Sequence, residues 1–76
     1  MPFSTLLKTI VITHAKAGDV KFEIYQDEHG LFFADIWRKN SEGSWLMGHD
    51  DYSFKQAESI EDAVKSCEKY VHNLGK

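Results

Sequence analysis

Four histidines, one cysteine and several carboxylates are the groups in this chain that offer metal or catalytic chemistry. The segment His49-Asp50-Asp51 brings three residues of metal-ligating types together. A structural zinc site uses nitrogen or sulfur ligands paired at short spacing, and a calcium site takes more oxygens than two adjacent aspartates provide. We therefore interpret the segment as a solvated turn and expect no metal and no cofactor. A metal-dependent or enzymatic function at these three residues is the alternative.

The sequence gives equally little support for nucleophilic or acid–base catalysis. Cys67 falls on an apolar helical stripe, where a buried thiol behaves as a small hydrophobe, whereas a catalytic thiol needs an electropositive, partly open setting. Glu23 and Asp35 could act as an acid–base pair only in a pocket that separates their pKa values. Cross-strand ion pairs with Lys21 or Arg38 are the expected alternative. We therefore predict that the chain is not an enzyme.

Size and charge restrict the class of protein. The chain has 76 residues, which predicts a single domain spanning 1–76, and a lone cysteine excludes an intrachain disulfide. Its net charge of −3 argues against a role driven by phosphate contacts. The start lacks the features of a secretory signal, and no segment is apolar enough to cross a membrane. We expect a cytoplasmic protein.

Apolar periodicity predicts an α+β fold, with an antiparallel three- to four-stranded β-meander followed by one C-terminal helix (β-β-β-β-α). The predicted strands are 6–14, 20–26, 31–38 and 45–49. Residues 50–53 are predicted as a loop. The helix is expected to begin after the N-cap candidate Ser59 and to end near Leu74, with Gly75 as its C-terminal cap residue.

The third and fourth strands are apolar on both faces, although the chain supplies a single helix to cover the sheet. The more apolar set should face the helix, because burying it leaves no charge unpaired. That inner set is Val20, Phe22, Ile24, Phe32, Ala34, Ile36 and Leu46. The outer sheet face, meaning the side away from the helix, would then carry Lys21, Glu23, Tyr25, Leu31, Phe33, Asp35, Trp37, Trp45 and Met47.

An aromatic-rich surface of this kind predicts an interaction module that binds a protein partner or a second copy of itself. The expected interface residues are Tyr25, Phe33, Trp37, Trp45, Lys21 and Arg38. Two alternatives need no partner. Residues 1–8 could fold back over the outer sheet face, or the aromatic side chains could stack on their cross-strand neighbours.

Single-stranded nucleic acid is the alternative ligand, since aromatic side chains on an open sheet can stack on bases. In that case Lys21, Arg38 and Lys39 would contact phosphates. The stretch 34–38, followed by 40–43 and a strand containing glycine, resembles the layout of single-stranded-DNA-binding coactivator domains. The sheet-then-helix order also resembles plant-type and integrase-arm DNA-binding domains. These families imply a basic sheet surface, whereas residues 20–49 carry more carboxylates than cations.

Overall fold

The computed structural model of the chain describes residues 4–74 and contains one sheet followed by one helix. The elements are β1 (Ser4–His14), β2 (Gly18–Asp27), β3 (Phe32–Lys39), β4 (Trp45–Ser53) and α1 (Ile60–Leu74). Neighbouring strands are antiparallel, and their order in the sheet is β1-β2-β3-β4. The predicted α+β fold is confirmed, and the sheet has four strands.

Side chains accept backbone N–H groups in all three turns between strands, through His14 Nδ1 in the β1–β2 turn and through an oxygen in the other two. Asp27 begins the β2–β3 turn and Asn40 begins the β3–β4 turn. Each side-chain oxygen accepts the backbone N–H groups two and four residues further on, at 2.9–3.0 Å. Gly30 and Gly43 then take φ values of 82° and 85°, a region that costs a residue with a Cβ. The two turns therefore fix the antiparallel pairing on either side of β3.

The core lies between α1 and the inner side of the sheet. All predicted inner residues of β2 and β3 are at most 7% exposed, and the helix adds three buried residues. The buried side chains are Val20, Phe22, Ile24, Phe32, Ala34, Ile36, Phe54, Ala63, Cys67 and Val71. Each large apolar side chain in this set contributes about 1.5–3 kcal/mol by leaving water. Phe54 anchors the crossing to the helix, where its N–H donates to the Phe32 carbonyl at 3.0 Å.

Leu46 does not join the core, so that prediction is wrong. Its side chain is 54% exposed, although its register partner Arg38 places it on the inner side. The backbone of α1 approaches β1, β2 and β3, whereas β4 lies at the edge of the sheet. The inner side of this part of β4 therefore has no helix above it.

The segment predicted as a loop at 50–53 is instead the second half of β4. Its pairing resumes at Tyr52 opposite Ala34 and at Ser53 opposite Phe33, after two irregularities in the register. Asp51 has a φ of 50°, which breaks the extended pattern and hides the strand from a periodicity analysis. An edge strand tolerates such bulges because only one side of it is paired.

The helix begins as the sequence predicts. Ser59 is the N-cap: its Oγ accepts the N–H of Asp62 at 3.3 Å, and its carbonyl accepts the N–H of Ala63. The Asp62 carboxylate reaches back to the N–H of Glu58 at 3.1 Å, one residue before the position used in a standard capping box. The predicted cap residue Gly75 lies outside the described residues. Within residues 4–74, α1 does not have the length or apolarity to cross a membrane.

Replacing the N-cap should destabilise the fold. Ser59→Ala removes the acceptor for the Asp62 N–H, and we expect a loss of about 1 kcal/mol in the free energy of unfolding. Urea denaturation followed by circular dichroism measures it. Ser66→Ala is the matched control, because the Ser66 hydroxyl only donates to the Asp62 carbonyl inside the same helix. Equal loss of stability in both variants would contradict the assignment of Ser59 as the cap.

Candidate interaction surface on the outer sheet face

The register of β2 and β3 brings most of the predicted outer residues side by side. Lys21 lies opposite Trp37, Glu23 opposite Asp35, and Tyr25 opposite Phe33. Along β4, Met47 faces Trp37 and Trp45 faces Lys39. The outer sheet face is thus one continuous surface, with an indole cluster at one end and a phenol–phenyl pair at the other.

The two indoles are held by neighbouring strands. The Lys21 ammonium lies 5.4 Å from the centre of the Trp37 ring and 5.0 Å from that of Trp45. The Lys39 ammonium lies 5.5 Å from the Trp45 ring on the same side of the sheet. The Trp37 Nε1–H donates to Glu23 Oε1 at 2.6 Å. Both indoles are half-buried. Cation–π contacts and one hydrogen bond to a carboxylate stabilise this end of the outer sheet face.

The leading residues do not cover this surface. Leu6 and Leu7 belong to β1 and are 48% and 43% exposed. The alternative in which residues 1–8 fold back over the aromatic side chains is therefore wrong for residues 4–8. Phe3, the other apolar residue of that segment, lies outside the described residues.

The other end of the surface is an open groove of about 510 Å³. The Tyr25 and Phe33 rings are stacked in it, with centres 5.4 Å apart and planes 13° from parallel. Burial, and then the charges of Glu23 and Asp35, raise the pKa of Tyr25 above its ordinary value. The residues that line the groove are Ser4, Tyr25, Asp27, Phe33, Asp35 and Asp51. An aromatic stack therefore lies among three carboxylates.

Glu23 and Asp35 do not form the predicted ion pairs with Lys21 or Arg38. The ion pairs found in residues 4–74 are Lys39 with Asp19 at 3.7 Å and His29 with Glu28. Glu23 accepts the Trp37 indole N–H instead, and Asp35 accepts the N–H of Asp51 at 3.2 Å. Two like charges directly opposite on adjacent strands are unfavourable. The centre of the outer sheet face is thus negatively charged.

Arg38 does not belong to this surface, contrary to the sequence prediction. It follows Trp37 in β3 and so points to the inner side, where its Nη2 donates to the Ala17 carbonyl at 2.9 Å. Its side chain occupies the space beside Gly48, where a Cβ would lie 3.1 Å from Arg38 Cγ and 3.3 Å from the Ile36 carbonyl oxygen. Arg38 Nε is buried with no hydrogen-bond partner among the described residues. Arg38 therefore acts as a structural link between β3 and the β1–β2 turn.

The candidate metal cluster is divided between the two faces of β4. The His49 ring packs edge-on against Tyr52 at 5.3 Å, on the side where Tyr52 meets Tyr70 of the helix. Asp51 lines the groove on the outer side. Within residues 4–74, no three metal-ligating side chains come together.

Cys67 is the buried structural thiol that the sequence predicts. It is fully buried in the core, and burial raises its pKa to about 12, with a smaller effect from Glu68. A thiol with so high a pKa is protonated at neutral pH and is a poor nucleophile.

Three groove residues were not anticipated: Ser4, Asp27 and Asp51. Asp27 shares the alternation of Tyr25 along β2, so an extended strand boundary would have found it. No local sequence pattern places Asp51 in the groove, because the irregular register of β4 determines on which face of the sheet its side chain lies.

Comparison with known proteins finds no matching family model, no similar curated protein and no similar solved structure. The likeness in layout to DNA-binding domains stays a prediction.

Neutralising Glu23 should lower the pKa of Tyr25. In wild type the raised pKa means that the folded state holds the phenol proton more tightly than the unfolded chain does. Its contribution to stability is therefore complete below the unfolded value of 10.0 and is lost as the pH rises through the folded value. Glu23→Gln removes the larger of the two charges that favour the proton, so the Tyr25 midpoint should fall in an NMR titration of the phenol ring.

Glu42→Gln is the control for that titration. Glu42 is an exposed carboxylate in the β3–β4 turn, so removing it makes the same charge change away from Tyr25. An equal fall in the Tyr25 midpoint in both variants would contradict a local effect of Glu23.

Proposed function

We propose that the chain is a non-enzymatic protein-interaction module whose outer sheet face binds a partner segment bearing arginine or lysine. One observation carries the proposal: the stacked rings of Tyr25 and Phe33 lie in an open groove among Asp27, Asp35 and Asp51. Aromatic faces and carboxylates both attract cations, and the groove presents them together.

The aromatic side chains supply contact area. A cation over an exposed ring contributes about 0.5–1 kcal/mol, and about 2 kcal/mol or more once desolvated. The chain already uses this interaction at the other end of the surface, where Lys21 lies against Trp37 and Trp45. An incoming side chain would find the same kind of surface at Tyr25 and Phe33.

The groove carboxylates favour a positively charged partner. No lysine or arginine in residues 4–74 forms an ion pair with Asp27, Asp35 or Asp51. A guanidinium from a partner can accept this role because its planar donors match a carboxylate. Two copies of this surface placed face to face would bring like charges together, which disfavours self-association through it.

Single-stranded nucleic acid is the second candidate, and the indole cluster favours it. Lys21 and Lys39 both lie near the Trp45 ring, which places cations beside an aromatic surface as such ligands require. The groove carboxylates on the same face oppose it, since they repel phosphates. The cluster offers two lysines rather than an extended basic track, and Arg38 points to the other side.

Binding to short labelled peptides tests the proposal by fluorescence anisotropy. The probes are peptides with one or two arginines flanked by apolar residues, the same peptides with glutamate in place of arginine, and a thymidine oligonucleotide at low salt. We expect the arginine peptides alone to bind. The double variant Asp35→Asn, Asp51→Asn should weaken binding at least ~10-fold, which corresponds to about 1.4 kcal/mol.

The double variant should keep the fold. An asparagine at 35 retains an oxygen for the Asp51 N–H, and asparagine tolerates the positive φ at 51. The matched control is Glu28→Gln, Glu42→Gln, which makes the same charge change in two exposed turns. If peptide binding weakens equally in the control, the effect comes from the net charge of the protein and the groove proposal fails. Binding of the oligonucleotide without the arginine peptides would replace the proposal by the second candidate.

A further inference from the structure

The sheet is open, so β1 and β4 each have one side that no strand of residues 4–74 occupies. Backbone N–H and C=O groups on such a side can pair with a strand from another chain. The two edges differ in how readily they could do so.

The β4 edge carries the features that discourage strand pairing. Its register against β3 shifts twice, and Asp51 takes a positive φ within the second shift, between His49 and Tyr52. Gly48, Asp50 and Asp51 add flexibility and negative charge in the middle of the strand. Bulges and charged residues blunt an edge against added strands.

The β1 edge lacks most of this protection. The strand is 11 residues long, and from Lys8 to His14 its pairing with β2 is regular. Its one irregularity lies between Leu6 and Lys8. The centre of the regular part is Thr-Ile-Val-Ile-Thr, a run of β-branched residues that suits a sheet, and Val11 is 52% exposed.

We propose that two copies of this chain associate through their β1 edges, antiparallel, so that the two sheets become continuous. The regular segment Lys8–His14 is symmetric about Val11, so full overlap places Val11 opposite its own copy. Ile10 then faces Ile12 on the inner side, and Thr9 faces Thr13 on the outer side. Between Thr9 and Thr13 this pairing sets apolar residues against apolar ones and hydroxyls against hydroxyls, and at its two ends Lys8 lies opposite His14.

The surface beside the edge favours a second copy as the occupant. A shallow groove of about 270 Å³ runs between β1 and α1, with the half-buried side chains of Ile60 and Val64 in it. The charged residues that line it are Lys8, Lys65, Glu61 and Glu68. Two cations and two carboxylates make the patch neutral, so two copies of it can meet across a two-fold axis without a net repulsion between like charges.

Light scattering after size exclusion tests the proposal. Wild type should elute with twice the monomer mass, and Val11→Lys should elute as a monomer, because two ammonium groups would meet across the axis. Met47→Lys is the matched control: Met47 is 46% exposed in β4, so the same substitution at the other edge should leave the dimer intact. Circular dichroism checks that both variants fold.

A disulfide test locates the contact even if Val11→Lys fails to fold. Opposed residues across antiparallel strands lie about 4.5–5.5 Å apart at Cα, within disulfide range. Oxidised glutathione should therefore link Val11→Cys into a covalent dimer and leave Met47→Cys single, while Cys67 stays buried and unreactive. A wild type that stays monomeric at millimolar concentration, or linkage of Met47→Cys in place of Val11→Cys, would overturn the proposal. Arginine peptides are proposed to bind in the groove around Tyr25 and Phe33, whereas Val11 lies opposite Lys21 near the other end of the outer sheet face, so their binding should be the same in Val11→Lys.

Discussion

A single helix can seal only one face of a sheet, and the rest of this structure follows from that constraint. The inner residues of β2 and β3 lose all or nearly all contact with water beneath α1. The outer sheet face has no such cover from residues 4–74 and is stabilised by its own side chains. It uses cations against rings, a carboxylate on an indole N–H and a stacked aromatic pair. These interactions work beside water, because each leaves a polar group free to be solvated.

The arrangement separates two kinds of surface. The outer sheet face is aromatic and mostly acidic, so it is chemically suited to a partner of opposite charge. The centre of the β1 edge is a run of β-branched residues and the groove beside it is neutral, so it is suited to a surface like itself. A small chain without a disulfide has little core to rely on, and association is one of the ways in which such chains gain stability.

Local patterns in the sequence account for the parts of the structure that depend on neighbours in the chain. Alternation along β2 identified Val20, Phe22 and Ile24 as core residues, and the spacing after Ser59 identified the helix. The outer positions of Tyr25 and Trp37 follow from the same alternation. The sequence prediction for Arg38 is wrong because it rests on the charge next to an aromatic surface, whereas strand alternation alone puts Arg38 on the inner side. The Asp51 position depends on how β4 pairs with β3, and no property of residues 49–52 themselves encodes that.

The two bulges in β4 have a consequence for the chemistry of the surface. Between Met47 and Asp51 the strand has two residues more than its β3 partner needs, and this excess turns His49 inward and returns Asp51 to the outer side. Deletion of one residue there would move every later side chain, as far as Ser53, to the opposite face of the sheet. The Asp51 side chain would leave the groove, and Tyr52 would lose its contact with Tyr70 of the helix and become exposed to solvent. The number of residues in this edge strand thus determines the polarity of the outer surface as firmly as their identity does.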